Sequence, residues 1–177
     1  LRSIGSAKPN TEISDIQMMS AAELTTVLYR WSGLSEPPSR DELCIHQLFH
    51  AQALETPDSV AAAHDDEEIT YSELDRLSDV LASVLCGPEF SVGVGDVVGL
   101  CMDRCIGMLV GMLGILKAGA AYVPLDPQHP PERNGCVLIE SGAGLFVKSS
   151  GITTEFDLEC VTIDDSGELM PGKSASR

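Results

Sequence analysis

The stretch from Val97 to Val123 constrains the fold more than any other part of the sequence. It begins with the apolar run Val97–Cys101, continues through Asp103–Ala118, which is apolar on nearly every side of a helix, and resumes with Ala120–Val123. Gly119 separates the helix from the second run, at the position where a left-handed backbone commonly ends a helix. Strand, buried helix and strand with short connections predict a parallel β-α-β unit, with helices on the faces of the sheet.

Short strands and helices alternate on both sides of this unit. The capping box Thr70–Glu73 opens a helix with apolar side chains at helical spacing, and Pro131 suits the first turn of another. We expect Asp65–Glu68 to form an exposed turn and Pro124–Pro127 to turn the chain from strand into helix. The predicted class is therefore α/β, a partial and largely parallel sheet flanked by helices. Its other elements are a helix at Ile45–Leu54 and strands at Val60–His64, Leu145–Val147 and Cys160–Ile163.

The length of 177 residues corresponds to one domain and a connecting segment, at about 150 residues per domain. We expect residues 1–40 to be an interdomain linker with one helix, at about 20–31, opened by a capping box at Ser20. Pro37 and Pro38 favour extended backbone and mark the boundary. Residues 41–177 would then form the domain. Because the chain begins with Leu1 rather than Met, we expect it to be part of something longer.

Charge and composition exclude several classes of function. The 27 acidic residues outnumber the 11 Lys and Arg, giving a net charge of -16, which disfavours binding to nucleic acid or to anionic membranes. The longest apolar run, Cys105–Leu116, is shorter than the roughly 20 residues of a membrane span. The six cysteines form no CxxC pair, which is typical of reduced thiols in a cytoplasmic protein.

Two glycine-rich stretches are similar to phosphate-binding loops. Gly93–Gly99 has its third glycine one residue late and leads into a strand rather than a helix, so we expect a turn. Gly167–Ser174 matches the Walker pattern formally, but that chemistry requires a helix directly after Lys173 and Ser174. Only residues 175–177 follow. A P-loop nucleotide binder using residues 167–174 is therefore an alternative interpretation.

Other candidate sites favour structural roles. His46 and His50 share a helical face but have no evident third metal ligand, and Asp65–Glu68 lacks the ligand spacing of a calcium loop. Cys105 lies near a helix start without a neighbouring base, which indicates packing. One side of the apolar helix carries small residues that would permit close backbone approach, namely Gly107, Gly111 and Gly114.

Two segments resemble core motifs of the adenylation domains of nonribosomal peptide synthetases. Leu116–Pro127, with the sequence LKAGAAYVPLDP, resembles the second motif, and Ile69–Leu74, with the sequence ITYSEL, resembles the first. The resemblance covers about residues 45–165. Residues 12–35 are similar to the linker that joins a condensation domain to an adenylation domain, which favours a peptide synthetase over an acyl-CoA ligase.

The resemblance implies an enzyme family that converts an amino acid and ATP to aminoacyl-AMP and pyrophosphate. The aminoacyl group is then transferred to the phosphopantetheine thiol of a carrier protein, and Mg²⁺ neutralises the phosphates. The implied partners are the rest of the adenylation domain and the neighbouring condensation and carrier domains. Two further alternatives are a non-enzymatic docking module and a fragment of an acyl-CoA ligase.

The sequence also departs from the family pattern. The family's phosphate loop is expected about where the chain ends at Arg177, and Ser149–Thr154 is similar to it in composition but comes too early. Asn134 and Gly135 replace residues that are usually helix-forming and apolar. We therefore expect residues 41–177 to be the N-terminal portion of the domain, truncated before the phosphate loop. No catalytic, cofactor-binding or metal-binding residue is carried over, and we expect the chain alone to be an inactive scaffold.

Overall fold

The computed structural model describes residues 19–31, 43–153, 156 and 158–170. The chain divides into two compact units, residues 1–43 and 44–177. In the first, helix α1 (Ala21–Thr25) continues as a π-helix over Thr26–Trp31. Its capping box at Ser20 is reciprocal, because the N–H of Glu23 donates to Ser20 Oγ at 3.2 Å and the N–H of Ser20 donates to the Glu23 carboxylate at 2.8 Å. The predicted boundary at Pro37 and Pro38 lies outside the described residues.

The second unit alternates strands and helices, as predicted. The helices are α2 (Ile45–Glu55), α3 (Tyr71–Leu85), α4 (Ile106–Lys117) and α5 (Pro131–Ser141). The strands are β1 (Val60–His64), β2 (Glu67–Thr70), β3 (Val97–Cys101), β4 (Ala121–Leu125), β5 (Leu145–Ser149) and β6 (Glu159–Ile163). Among the described residues, every helix is too short or too polar to cross a membrane.

The central sheet has four strands in the order β4-β3-β5-β6, and all its pairings are parallel. Both neighbours of β3 come later in the chain, and α4 connects β3 to β4. Since parallel strands require such crossovers, this topology confirms the predicted α/β class and its largely parallel sheet.

Apolar clusters cover both faces of the sheet. On one face, α3 and α4 pack against Val98, Leu100 and Val147. On the other, α5 places Leu138 against Phe146 and other residues. Neighbouring positions of β5 thus point to opposite faces, as strand geometry requires. The sheet is therefore the middle of three layers, and loops follow the ends of its strands.

A β-hairpin replaces part of the turn expected at Asp65–Glu68. Strands β1 and β2 pair antiparallel, with His64 opposite Glu67. Only Asp65 and Asp66 form the turn, and Asp65 has a positive φ of 53°. The prediction of a four-residue turn was wrong. It rested on the acidic character of these residues, but Glu67 and Glu68 pair with β1 and therefore belong to β2.

Strand β4 continues through Pro124, although we expected the chain to turn there. Pro124 is opposite Leu100 of β3, and β4 lies at the edge of the described sheet. An edge strand needs hydrogen-bond donors toward one neighbour only, so it tolerates a residue without an N–H group. The turn that follows β4 begins at Asp126, directly after Leu125.

The glycines of α4 allow close packing, as predicted. A Cβ atom built on Gly114 would lie 2.6 Å from Leu81 Cδ2, and one on Gly111 would lie 2.6 Å from Leu100 Cδ1. Gly119 follows the helix with a φ of +87°, which confirms its predicted role at the helix end. This packing fixes α4 against α3 and the sheet.

Candidate functional site

The four parallel strands end at one edge of the sheet, and the loops after them form the candidate functional site. These ends are Cys101, Leu125, Ser149 and Ile163. In open parallel sheets, ligands bind beyond the carboxyl ends of the strands. Asp103 and Arg104 line two of the clefts that open at this edge.

The larger one, called here the edge cleft, has a volume of about 670 Å³. It is lined by Arg104 after β3, by Asp126 and His129 in the loop after β4, and by Arg133 and Asn134 of α5, among others. This volume lies within the range of about 300–1,000 Å³ that is usual for small-molecule sites. The edge cleft is thus large enough for a small ligand.

Asp126 organises the loop that borders the edge cleft. Its Oδ1 accepts the N–H of Gln128 at 2.8 Å, and its carbonyl oxygen accepts Nδ2 of Asn134 at 2.8 Å. Nε2 of His129 lies 3.9 Å from Oδ2 of the same aspartate. Asn134 is buried, and this hydrogen bond to Asp126 explains how a polar residue occupies a position where the family resemblance implies an apolar one. This contact was not predicted because it depends on how α5 packs against the preceding loop.

The second cleft, of about 490 Å³, is lined by Ser149 at the end of β5 and by Asp165 in the turn after β6, and these two residues contact each other. Ser149 Oγ donates to Asp165 Oδ1 at 2.7 Å, and the carbonyl of Asp165 accepts the N–H of Gly107 at 2.7 Å. Cys105 lines the same cleft, and burial raises the pKa of its thiol. A raised pKa keeps the thiol protonated at neutral pH, in agreement with the packing role expected for Cys105.

A network of charged groups lies between α3 and α4. Lys117 Nζ donates to Asp75 Oδ1 at 2.7 Å and to Asp79 Oδ1 at 2.7 Å, and His50 Nδ1 lies 2.9 Å from Asp75 Oδ2. Burial raises the pKa of Asp75, but the hydrogen bonds and charges of Lys117 and His50 together lower it below its usual value. This network was not predicted, although the spacing of Asp75 and Asp79 on one helical face was visible in the sequence.

The other sequence motifs lie in a turn and on a helix of the second unit. Gly95 has a φ of +97° in a turn before β3, where the N–H of Gly93 donates to Asp96 Oδ2 at 2.8 Å. His46 and His50 lie on α2, and His50 contacts Asp75. Among the described residues, no group of three His, Cys, Asp or Glu side chains is arranged to hold a metal ion.

The Walker-like segment begins in a turn. Gly167 has a φ of +94° and its N–H donates to the carbonyl of Asp164 at 3.1 Å. Two residues later, Leu169 forms an antiparallel bridge with Ile163. Lys173 and Ser174 lie outside the described residues. The described part of this segment therefore folds back on β6.

Comparisons with known proteins agree with the motif resemblance. The sequence model of the AMP-binding enzyme family matches residues 49–172. One of the linear gramicidin synthase proteins of Brevibacillus parabrevis is 40% identical over 147 residues, which are 83% of this chain and 2% of that synthase protein. Bacitracin synthase 3 from Bacillus licheniformis is 34% identical over 161 residues, which are 91% of this chain and 2% of that protein. The chain therefore spans a small part of each of these relatives.

Solved structures show the same relationship. The nonribosomal peptide synthetase FmoA3, in its alpha-methyl-L-serine-AMP bound form, has a TM-score of 0.66 and 30% identity, covering 79% of this chain and 16% of that one. The N-terminal subdomain of Klebsiella oxytoca NpsA has a TM-score of 0.59 and 26% identity, covering 68% of this chain and 31% of that one. The shared region is the sheet and helices of an N-terminal subdomain.

The family match covers more than half of the chain and contains both motifs, Ile69–Leu74 and Leu116–Pro127. The resemblance inferred from these motifs is therefore confirmed. This chain belongs to the family of AMP-binding enzymes, and it corresponds to the N-terminal part of a nonribosomal peptide synthetase adenylation domain.

Proposed function

We propose that this chain forms part of a domain that converts an amino acid and ATP to aminoacyl-AMP and pyrophosphate. The aminoacyl group would then pass to the phosphopantetheine thiol of a carrier protein. The observation that carries this proposal is the course of the Leu116–Pro127 motif, which runs from the end of α4 through β4 into the loop bordering the edge cleft. FmoA3, a structural neighbour, binds alpha-methyl-L-serine-AMP, which supports an aminoacyl adenylate as the intermediate.

Within this chain the two motifs position the edge of the sheet. Thr70 Oγ1 accepts the N–H of Glu73 at 3.3 Å at the start of α3. Lys117 connects the end of α4 to α3, and Asp126 holds the loop after β4. These side chains act on neighbouring protein groups, which supports a scaffold role for residues 41–177.

We assign no catalytic, cofactor-binding or metal residue to the described part of the chain. The described residues offer no cluster suited to Mg²⁺, so we derive no step through a metal ion here. ATP and Mg²⁺ are assigned to the complete domain. The chain spans 16% of FmoA3, whose adenylate-bound form is known, and we propose that the isolated chain forms no adenylate.

The proposed partners are the remainder of the adenylation domain and the neighbouring condensation and carrier domains. Residues 1–40 would be the linker on the condensation side, and residues 41–177 the first portion of the adenylation domain. A structural neighbour is an artificially fused adenylation–carrier di-domain from Klebsiella oxytoca, which supports a carrier protein as partner. We propose a cytoplasmic location.

Amino-acid-dependent exchange between ATP and pyrophosphate tests this function. It should be measured on the 177-residue chain and on the same chain joined to the rest of its adenylation domain. We expect exchange only from the larger protein, with one or a few amino acids of a panel. Exchange by the isolated chain would contradict the scaffold role. A larger protein that activates fatty acids and no amino acid would identify an acyl-CoA ligase instead.

A further inference from the structure

Asn134 and Gly135 form a chemically reactive pair in the sequence. An asparagine followed by glycine loses its side-chain amide most readily, because glycine has no side chain to hinder attack of its peptide nitrogen on Cγ of the asparagine. The chain has two asparagines, and the other, Asn10, precedes the β-branched Thr11. Asn134 is therefore the asparagine whose neighbour in the sequence makes it more prone to deamidation.

The structure holds this pair in an unreactive arrangement. Asn134 is buried, and its Nδ2 donates to the carbonyl of Asp126 at 2.8 Å. Gly135 is the fifth residue of α5, so its N–H lies within the hydrogen-bonded part of the helix. A helical side chain also points toward the N-terminus of the helix, away from the following peptide nitrogen. Attack on Cγ of Asn134 therefore requires the first turn of α5 to open.

The start of α5 has weak local support. Its N-cap residue, Pro130, provides no side-chain hydrogen bond, and a glycine at position 135 lowers the helix propensity. A Cβ atom built on Gly135 would meet nothing within 4 Å among the described residues, so the space around it is open. The side-chain contact between Asn134 and Asp126 is thus the contact that ties this turn to the preceding loop.

We propose that Asn134 is a deamidation site that stays closed while its side chain holds the loop after β4. When the turn opens, the peptide nitrogen of Gly135 forms a bond to Cγ of Asn134. The bond between Cγ and Nδ2 breaks, and Nδ2 leaves as ammonia with the proton of the Gly135 nitrogen. Water then opens the cyclic imide and gives aspartate or isoaspartate.

The reaction removes the contact that prevents it. Nδ2 of Asn134 is both the donor to the carbonyl of Asp126 and the leaving group. The product carries a carboxylate in place of the amide, and a carboxylate cannot donate a hydrogen bond to a carbonyl oxygen. Deamidation therefore releases the loop irreversibly, beside the edge cleft that both residues line. This proposal does not depend on amino acid activation.

Mass spectrometry of the 177-residue chain tests the proposal. The chain is incubated at mildly alkaline pH in native buffer and in concentrated urea, and the peptides that contain Asn134 and Asn10 are followed over time. In urea, Asn134 should convert faster than Asn10 and at least about tenfold faster than it does in native buffer. Equal rates for Asn134 in the two solutions would contradict protection by the fold. Conversion of Asn134 no faster than that of Asn10 in urea would contradict the reactivity of the pair.

Two matched aspartate variants test the contact with the loop. Asp126→Ala removes the acceptor of the Gln128 N–H and loosens the loop that holds Asn134, so conversion in native buffer should rise by about fivefold with no change in urea. The control, Asp96→Ala, removes a similar acceptor of the Gly93 N–H in the turn before β3. It should leave conversion of Asn134 within about twofold of the wild type. No acceleration in Asp126→Ala, or equal acceleration in both variants, would overturn control by the loop.

Asn134→Asp reproduces one product of the reaction and tests its consequence. We expect the amides of Gln128 and His129 to exchange with solvent about fivefold faster, the effect of losing one hydrogen bond. Gly135→Ala removes the reactive glycine, so it should slow conversion in urea and leave the exchange of these amides as in the wild type. Circular dichroism should show the same helix content in all variants. Unchanged amide exchange in Asn134→Asp would rule out release of the loop.

Discussion

Lys117 Nζ lies 2.7 Å from Oδ1 of Asp75, and this contact joins the last turn of α4 to the first half of α3. Both side chains are largely buried, with 9% and 13% of their surfaces exposed. The same ammonium group also reaches the backbone carbonyl of Asp75 at 2.9 Å. Since Lys117 belongs to the Leu116–Pro127 motif, the contact fixes the start of the motif relative to the core.

We predict that Lys117→Met lowers the free energy of unfolding by about 3 kcal/mol, because it leaves the buried carboxylate of Asp75 without its cation. Urea unfolding followed by circular dichroism measures the change. The control is Arg76→Met, which breaks an exposed ion pair with Glu168 and should cost less than about 1 kcal/mol. Equal losses of unfolding free energy in the two variants would show that the Lys117 contact stabilises the fold no more than the exposed ion pair does.

The lowered pKa of Asp75 predicts a pH dependence of stability. A carboxyl group with a lowered pKa in the folded state contributes stability above its unfolded pKa, near its ordinary value of 3.8, and loses it as the pH falls through the folded pKa. We expect the difference in unfolding free energy between wild type and Asp75→Asn to shrink below about pH 4. Urea titrations from about pH 6 to about pH 3 give this difference. A difference that does not change with pH would contradict the stabilisation of the Asp75 carboxylate by Lys117 and His50.

Two glycine-to-alanine substitutions should have opposite effects. Gly114→Ala places a Cβ atom 2.6 Å from Leu81 Cδ2, so we expect a loss of about 1–3 kcal/mol from overpacking. Gly135→Ala on α5 meets nothing within 4 Å and should stabilise the protein by about 1 kcal/mol through helix propensity. Thermal unfolding of both variants tests the packing of α4. A Gly114→Ala protein as stable as wild type would refute it.

Asn134 should control the order of the loop after β4. Asn134→Ala removes the hydrogen bond to the carbonyl of Asp126, and we expect a loss of about 1 kcal/mol. Hydrogen exchange of the Gln128 and His129 amides should become faster, while exchange in β5 stays unchanged. Faster exchange throughout the sheet would indicate a global effect instead.

The fold was largely predictable because its signals are local. The hydrophobic periodicity of adjacent residues predicts the change from strand to helix to strand around Gly119. The turn expected at Pro124 was wrong because the tolerance for proline in β4 depends on the edge position of that strand, which the neighbouring sequence does not encode.

The site was less predictable because its contacts join distant parts of the chain. Lys117 meets Asp75 across 42 positions, and Arg104 and Arg133 reach one cleft from separate elements. Motifs identified the family, but the partners of individual charged groups depend on helix packing that no local pattern specifies. The resemblance therefore predicted the enzyme class, but it predicted none of these side-chain contacts.

A domain exchange tests the central claim most directly. Residues 44–170 of this chain would replace the matching segment of the linear gramicidin synthase protein that is 40% identical over 147 residues. The recipient is the adenylation domain that contains this segment. Amino-acid-dependent ATP–pyrophosphate exchange is the measurement. We predict that the folded chimera retains exchange with the amino acid of the recipient domain. A chimera with native helix content and no exchange would contradict the assignment of this chain as an adenylation-domain scaffold.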